Sequence, residues 1–492
     1  DMMPTNKLLL RFLLVGALVI GAVITATAAV VPTSRTEWRS VWVTRFEWTR
    51  GNRRDITSRL DRIMSDLGAA NMNAVLFQVR GQGDTLYPSS EEPWSPLISP
   101  SARNFDPVNE AIADARRNGL QFHAWMNLSV IWQSANKSLP DDKRHPLYRF
   151  ANAGSAAART GLIHDGNGRP RQFGADDYVW LTHGNPEVNA YLRRQVMLFL
   201  RNHDVDGIHL DDRTGMPNGA SRDPVSLRRF KGRGNPARID DLGEWQRDQL
   251  SRFLSDLYVQ CKEQNPRLLL TISPFGIADR TRIKGYGRYS DAETFGVEPE
   301  KWLRMGVVDA LIPQIYWDDA DPPPNYSTVL KDWLNNNRTG RPIWPGSALG
   351  KYGKAPQPLN PVQMRYVGIA RSLNAGGNSF FSYGGATSSQ WRGSGLYKDK
   401  ARVPVPAHMQ PGRYGQIAGY VYEGGAKTPV TDAWIQFKGS RIVYLSSADG
   451  FFGIPNVRPG RYTLQITMPN GAKMTRDVTV APDRTARVEI IR

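Results

Sequence analysis

Between residues 37 and 395, short apolar runs alternate with longer stretches whose apolar residues recur every three or four positions. The runs predict strands over 40–44, 74–79, 121–126, 207–210, 268–273, 309–315, 342–345 and 378–382. The intervening periodicity predicts helices near 55–69, 106–118, 187–202, 242–264, 299–305, 326–337 and 361–375. Cap signals agree: Asp106-Pro107 puts proline in a first turn, and Asn118-Gly119 ends that helix just before a strand. The strand candidates are apolar throughout rather than alternating, which implies a parallel sheet covered on both faces. Eight such units fit a (β/α)8 TIM-type barrel with long loops after its strands, and a doubly wound open sheet is the competing arrangement.

From about Gly395 the pattern changes. Residues 396–411 are polar and proline-bearing, as in a linker. Short β runs follow at 416–422, 433–437, 450–454, 461–466 and 476–480, separated by turn signals such as Asp449-Gly450 and Pro459-Gly460. Residues 412–492 therefore read as a small all-β sandwich domain, with the barrel at 37–395.

The N-terminus adds a third segment. Lys7 and Arg11 precede an apolar run over 12–24, and Ala26-Thr27-Ala28 supplies a small-residue cleavage site. This reads as a signal peptide over 1–28, with an uncleaved membrane anchor as the alternative. The expectation is an exported protein of the periplasm or cell envelope. That destination changes the meaning of a formal net charge of +17. Nucleic acid is removed as a partner, and an envelope polysaccharide becomes the polyanion within reach. The loop after the fourth strand concentrates Arg222, Arg228, Arg229, Lys231, Arg233 and Arg238. Either it lines a groove for an anionic chain or it is a solvated loop. With Cys261 the single cysteine, no internal disulfide forms, and this residue reads as a small buried apolar group.

Candidate chemistry sits at the predicted strand ends. The run DGIHLDDR closes on Asp211 and Asp212. Period-two alternation places His209 and Asp211 on one face, with Asp211 at the C-terminal mouth where barrel enzymes keep their chemistry. Neighbouring carboxylates drive their pKa values apart, so one stays ionised while another holds a proton, the division of labour that glycoside hydrolysis requires. The plainer alternative is that the pair caps the following loop or binds Arg213. Other strand ends supply Arg80, Asp84 and Trp94; His123, Trp125 and Asn127; and Gln314, Tyr316, Trp317 and Asp318. Aromatic faces stack on sugar rings, and fixed amides and carboxylates hold hydroxyls. Histidine and cysteine spacings fit no metal site, His209 reads as a barrel-lining hydrogen-bonding residue, and no nucleotide or cofactor motif is present. No G-x-S-x-G elbow offers a serine nucleophile.

The words EWRSVWVTRFEW, NAVLFQVRGQGDTLYPSSEEPWS, HAWMN, DGIHLDD, SPFGI and PQIYW, in that order, resemble the glycosyl-hydrolase-like family 10 of bacterial envelope proteins. The resemblance covers about Glu37 to Trp391 and implies a (β/α)8 barrel acting on cell-wall or similar glycans. It implies a cleft lined by Asp211, Asp212, Arg80, Asp84, His123, Asn127, Gln314 and Tyr316, with Asp211 as the key carboxylate. Arg213 stands where the family has an aromatic residue, and HAWMNLSV replaces the family's proline-bearing continuation. The C-terminal domain resembles carboxypeptidase regulatory-like, transthyretin-type sandwiches.

These readings predict an exported glycoside hydrolase of a peptidoglycan-type or other envelope polysaccharide, needing no cofactor. Asp211 is expected as nucleophile or base, with Asp212, Asp84 or Asp318 as proton donor. Arg80, His123, Asn127, Gln314 and Tyr316 are expected to hold polar groups, and Trp94, Trp125 and Trp317 to offer stacking faces. A catalytically silent glycan-binding scaffold and a polysaccharide lyase or deacetylase are the alternatives.

Overall fold

The structure, a computed structural model, describes residues 35–134, 136, 138–152, 160–170, 178–217, 221–319, 322–349, 359 and 362–492. The predicted leader over 1–28 lies outside these residues.

The non-alternating apolar runs become strands buried on both faces: β1 (Trp38–Val43), β2 (Ala74–Arg80), β3 (Gln121–Met126), β4 (Gly207–Asp211), β5 (Leu269–Ser273), β6 (Ala310–Leu311), β7 (Gly346–Ala348) and β8 (Gly377–Phe381). They form one eight-stranded sheet in the order β6-β5-β4-β3-β2-β1-β8-β7, parallel throughout. Parallel bridges Leu311–Ile343 and Gln314–Gly346 join the β6 and β7 segments and close the cylinder. Helices α1 (Arg53–Ala69), α2 (Pro107–Arg117), α3 (Pro186–Asn202), α4 (Leu242–Gln264), α5 (Pro299–Met305), α6 (Tyr326–Asn336), α7 (Val362–Ser372) and α8 (Ser388–Arg392) follow the strands in turn. The expected (β/α)8 architecture is present.

Alternation along each strand divides the core. Outward residues such as Val41, Val75, Phe77, Ile208 and Leu270 pack under the helices. Inward residues Trp38, Trp42, Leu76, Trp125, Ile312 and Trp344 fill the cylinder. Polar groups there are paired with one another: Trp38 Nε1 donates to the Ser40 and Ser379 hydroxyls at 2.9 and 3.0 Å. Gly207 is required at its place, because a Cβ would lie 2.1 Å from His123 Nδ1.

The seventh strand differs from expectation. It runs over Gly346–Ala348 rather than 342–345, because Pro342 and Pro345 have no N–H to give the ladder and leave Ile343 with a single bridge. The long loops also hold structure that periodicity did not reveal: helices Pro146–Asn152 and Pro224–Phe230, and an antiparallel pair Val130–Gln133 with Tyr178–Trp180.

The C-terminal region is two sheets, one mixed and one antiparallel, around Ile417, Val421, Ile435, Phe452, Leu464 and Ile490. Strands Thr428–Pro429, Tyr444–Leu445 and Thr485–Ile491 join those expected, the last pairing in parallel with Gly415–Glu423. This domain is fastened to the barrel. Val259 on α4 packs with Ala418 and Phe451, and Asp256 accepts from Gly453 N at 2.8 Å. The basic loop divides: Arg222, Arg228, Lys231 and Arg238 are exposed, as a solvated loop requires, while Arg229 and Arg233 are committed to the sandwich rather than to a groove. Arg229 makes a two-pronged ion pair with Asp432 (2.9 and 2.7 Å), and Arg233 lies over the Trp434 ring and donates to Thr467 O at 2.9 Å. The segment expected as a linker is likewise anchored along the barrel: Glu37 N donates to Arg402 O, and His408 Nε2 meets Asp309 at 2.8 Å.

Candidate active site

Asp211 ends β4 on the inward face, at the C-terminal mouth of the barrel. Its Oδ2 accepts from Trp125 Nε1 at 3.1 Å, and its Oδ1 accepts from the Arg213 backbone N–H at 2.9 Å. The carboxyl is buried, at 6% exposure. Burial first, then the neighbouring Asp212 charge, pushes it up to about 7, against the pull of Arg213, its backbone N–H and Trp125. At neutral pH this strand end therefore holds a substantial share of a proton.

Asp212 opens the following turn and is partly exposed. Gln314 Nε2 donates to its Oδ1 at 3.3 Å and to Ser273 O at 3.1 Å, so the β6 segment holds the second carboxylate. Arg213 Nη1 lies 3.9 Å from Asp212 Oδ2, and its guanidinium covers the Tyr178 ring at 4.8 Å. Two buried polar atoms flank Asp211 without a hydrogen-bond partner among the described residues: Ser273 Oγ on neighbouring β5 and Asn127 Oδ1 after β3.

Beneath the carboxylate, His209 is locked as a neutral ring. Trp42 Nε1, which only donates, reaches His209 Nε2 at 3.0 Å, so the proton sits on Nδ1 and is given to Thr271 Oγ1 at 2.9 Å. Burial pushes its pKa well below the usual value. His123 lies deeper, fully buried against Trp38, its pKa lowered to about 3 by burial. Both histidines fill the cylinder below the mouth, where His123 is out of reach of a ligand.

Arg80 is also removed from the cleft. The β2–β3 register shifts between Gln78 and Arg80, the kind of bulge that re-aims a side chain. Its guanidinium grips Glu92 at 2.8 and 2.6 Å, with both side chains fully buried, and Tyr191 OH donates to Glu92 at 2.5 Å. Burial pushes Glu92 up, but Arg80 outweighs it and holds the carboxylate low. Asp318 meets Arg365 of α7 at 3.6 Å. Trp94 packs against the outer core and Trp317 meets Phe275 edge-on at 5.9 Å.

The mouth thus gathers Asp211, Asp212, Trp125, Asn127, Gln314 and Tyr316. Its far side is aromatic: Phe381 at the end of β8 lies 6.0, 6.5 and 5.6 Å from the Trp42, Trp125 and Tyr316 rings. Asp84 sits on the β2 side, buried and capped by Gln82 N at 3.0 Å. Two residues escaped the sequence reading although they stand in the word VTRFEW. Arg45 lies against Gly81 and senses the charges of Asp84, Tyr178 and Asp211, while burial lowers its pKa. Glu47 accepts from Ser382 Oγ, Gly384 N and Thr44 N, each at 2.6 Å, and ties the β1 loop to the β8 loop. Their signal was position alone, one turn past a strand end. Among the described residues no three His, Cys, Asp or Glu side chains gather as a metal site.

Comparison with known proteins agrees with this arrangement. The glycosyl hydrolase-like 10 family matches residues 37–344, and the carboxypeptidase regulatory-like domain matches 416–491. The chain is 24% identical over 358 residues to Glycosyl hydrolase YngK of Bacillus subtilis, covering 69% of this chain and 65% of that protein. It thus spans a little under two thirds of that relative's length. It is 23% identical over 370 residues to Glycosyl hydrolase DigH of Escherichia coli, covering 67% and 77%. The glycoside hydrolase domain of PgaB (BpsB) from Bordetella bronchiseptica superposes with a TM-score of 0.51 at 13% identity, over 74% of this chain and 100% of that one. That likeness speaks to the fold. Together the family and the relatives support a glycosidase-like function.

Proposed function

The chain belongs to the glycosyl hydrolase-like 10 family, and from that premise we propose that it hydrolyses glycosidic bonds in a cell-wall or other envelope polysaccharide. The observation that carries this reading is the Asp211–Asp212 pair, one member pushed to about 7, in an aromatic-walled barrel mouth. An acid poised near neutral pH is what protonation of a leaving sugar oxygen needs. Burial therefore favours Asp211 as proton donor, the reverse of its expected role as nucleophile or base. Asp212, held by Gln314, is the neighbouring carboxylate that adds to the upward push on Asp211. Trp125 fixes the donor's geometry, and Tyr316 and Phe381 offer faces for a sugar ring. Asn127 and Ser273 have spare hydrogen-bonding capacity for its polar groups.

The protein acts outside the cytoplasm, in the periplasm or at the envelope. The basic start, apolar run and small-residue site over 1–28 support that placement, with membrane attachment wherever this segment stays uncleaved. The deciding experiment is mass spectrometry of products from purified wall glycan strands, with and without stem peptides, using wild type and Asp211→Asn. New reducing ends from wild type alone support a hydrolase working through Asp211. Binding without products from either protein would leave a glycan-binding scaffold instead.

A further inference from the structure

Hydrolysis at this mouth raises a question about the attacking group. Enzymes of the two-carboxylate kind place their carboxyl groups on either side of the scissile bond, about 5 Å apart for a protein nucleophile or about 6.5–9.5 Å apart for a water-activating base. Here both carboxylates of the dyad stand on one strand end, β4. In the closed ring the strand opposite β4 is β8, four places away in either direction. The β7–β8 stretch supplies no acid of its own: the sequence contains no Asp or Glu between Asp332 and Asp399, a stretch that includes β7, β8 and their loops.

The nearest carboxylate to that stretch, Glu47, has its oxygens occupied by the Ser382 hydroxyl and the Gly384 and Thr44 N–H groups. Asp318 is turned to Arg365. The rings of Phe381, Trp42 and Tyr316 reach the dyad through Trp125, which bonds Asp211, and form an apolar surface suited to a methyl group and unsuited to an anionic nucleophile. Meanwhile the buried Ser273 Oγ and Asn127 Oδ1 beside Asp211 have no partner among the described residues.

We propose that the nucleophile belongs to the substrate: the site takes a 2-acetamido sugar and uses its acetamido carbonyl oxygen, with Asp212 holding the amide N–H and Asp211 serving the leaving oxygen. The inference rests on the hydrolase reading and deepens it by naming the substrate class. Two carboxylates one residue apart match two substrate groups on adjacent carbons, the amide at C2 and the leaving oxygen at C1. The carbonyl oxygen bonds to C1 as the glycosidic C–O bond breaks. Asp211 gives its proton to the departing oxygen, and the amide proton passes to Asp212 as the fused oxazoline forms. Water then adds to C1 as the oxazoline C1–O bond breaks, and yields a proton to the Asp211 carboxylate. Asp212 returns the amide proton, and the product keeps its anomeric configuration. Charge on Asp212 and protonation of Asp211 are the states this sequence needs at its start, in line with the shift at Asp211.

The test uses the full chain with wall glycan strands, native and N-deacetylated, and the thiazoline analogue of the oxazoline. Expected are retention of configuration in the first product by proton NMR, and a rate loss of about a hundredfold or more on N-deacetylated strands. Competitive inhibition by the thiazoline is also expected, lost in Asp212→Asn. An inverted product, or equal cleavage of N-deacetylated strands, would overturn the inference while leaving a hydrolase with its base elsewhere, Asp84 first. Absence of cleavage of any strand by wild type would sink the hydrolase reading and this inference with it.

Discussion

Trp125 ends β3 and its indole N–H donates to Asp211 Oδ2 at 3.1 Å, so one strand end positions the carboxylate of the next. The bond favours the charged carboxylate and restrains a pKa that burial and Asp212 push up to about 7. As a proton donor, Asp211 loses activity when pH rises through that value. Trp125→Phe removes the restraint, so the alkaline limb of kcat/KM should move up by about one pH unit, a charge-assisted hydrogen bond being worth about 1.5–3 kcal/mol. The plateau should fall about tenfold or more as the carboxylate loses its fixed direction. A pH–rate profile of both proteins checks this, and an unmoved limb would mean that another group titrates.

The same carboxyl is a stability cost. Its folded pKa lies above the unfolded value, so the folded state binds the extra proton. The penalty is absent below about pH 4, grows between about 4 and 7, and is complete above about 7. A shift of this size corresponds to about 1–4 kcal/mol. Asp211→Asn should gain stability relative to wild type as pH rises from 4 to 8, while losing activity. The readout is the change in the stability difference with pH from denaturant melts, because an Asn amide also faces the two N–H donors that Asp211 accepts from. A difference constant with pH would contradict the buried-acid description.

Much of this was legible in the chain because the relevant physics is local. A strand buried on both faces must be apolar throughout, and alternation then places His209 and Asp211 inward and Asp211 at the mouth. What stayed hidden depends on distant contacts. Arg80 follows its strand like a cleft residue, yet a one-residue register shift and Glu92, twelve positions on, bury it. His123 shares a face with Trp125 but lies one layer deeper, above a glycine that only the packed barrel explains. Arg229 and Arg233 read as part of either a polyanion groove or a solvated loop because their partners in the sandwich, Asp432 and Thr467, lie about two hundred positions away. Glu47 went unread because two of its three donors, Ser382 and Gly384, come from the loop after β8, across the chain.

The Arg80–Glu92 pair, with both side chains fully buried, predicts large structural rather than kinetic effects. Glu92→Gln leaves a guanidinium without its counter-charge in a dry site and should destabilise by about 3–5 kcal/mol. Tyr191→Phe removes one hydrogen bond to the same carboxylate and should cost about 1–3 kcal/mol. Equilibrium unfolding in urea measures both. If Glu92→Gln instead retains stability but loses glycan affinity, Arg80 would return to the list of substrate-binding residues.

The docking of the sandwich makes the final prediction. Arg229 spans the two domains, held by Gly184 O on the barrel at 2.7 Å and by both oxygens of Asp432. The ion-pair side chains are 9% and 15% exposed, so water screens the pair weakly. Asp432→Ala strands the guanidinium and should weaken docking by about 2–4 kcal/mol, in the range for breaking a mostly buried pair. The barrel core and mouth contain no part of this contact. Limited proteolysis should therefore cut within 396–411 faster in the variant, as anchors such as His408–Asp309 become the main restraint on that segment. Hydrolysis of a short soluble substrate should be unchanged, since Asp211 and its partners lie at the opposite ends of the strands from that segment. A coincident loss of activity and docking would instead show that the sandwich steadies the mouth through the loop after β4, which carries Asp212 at one end and Arg229 further along.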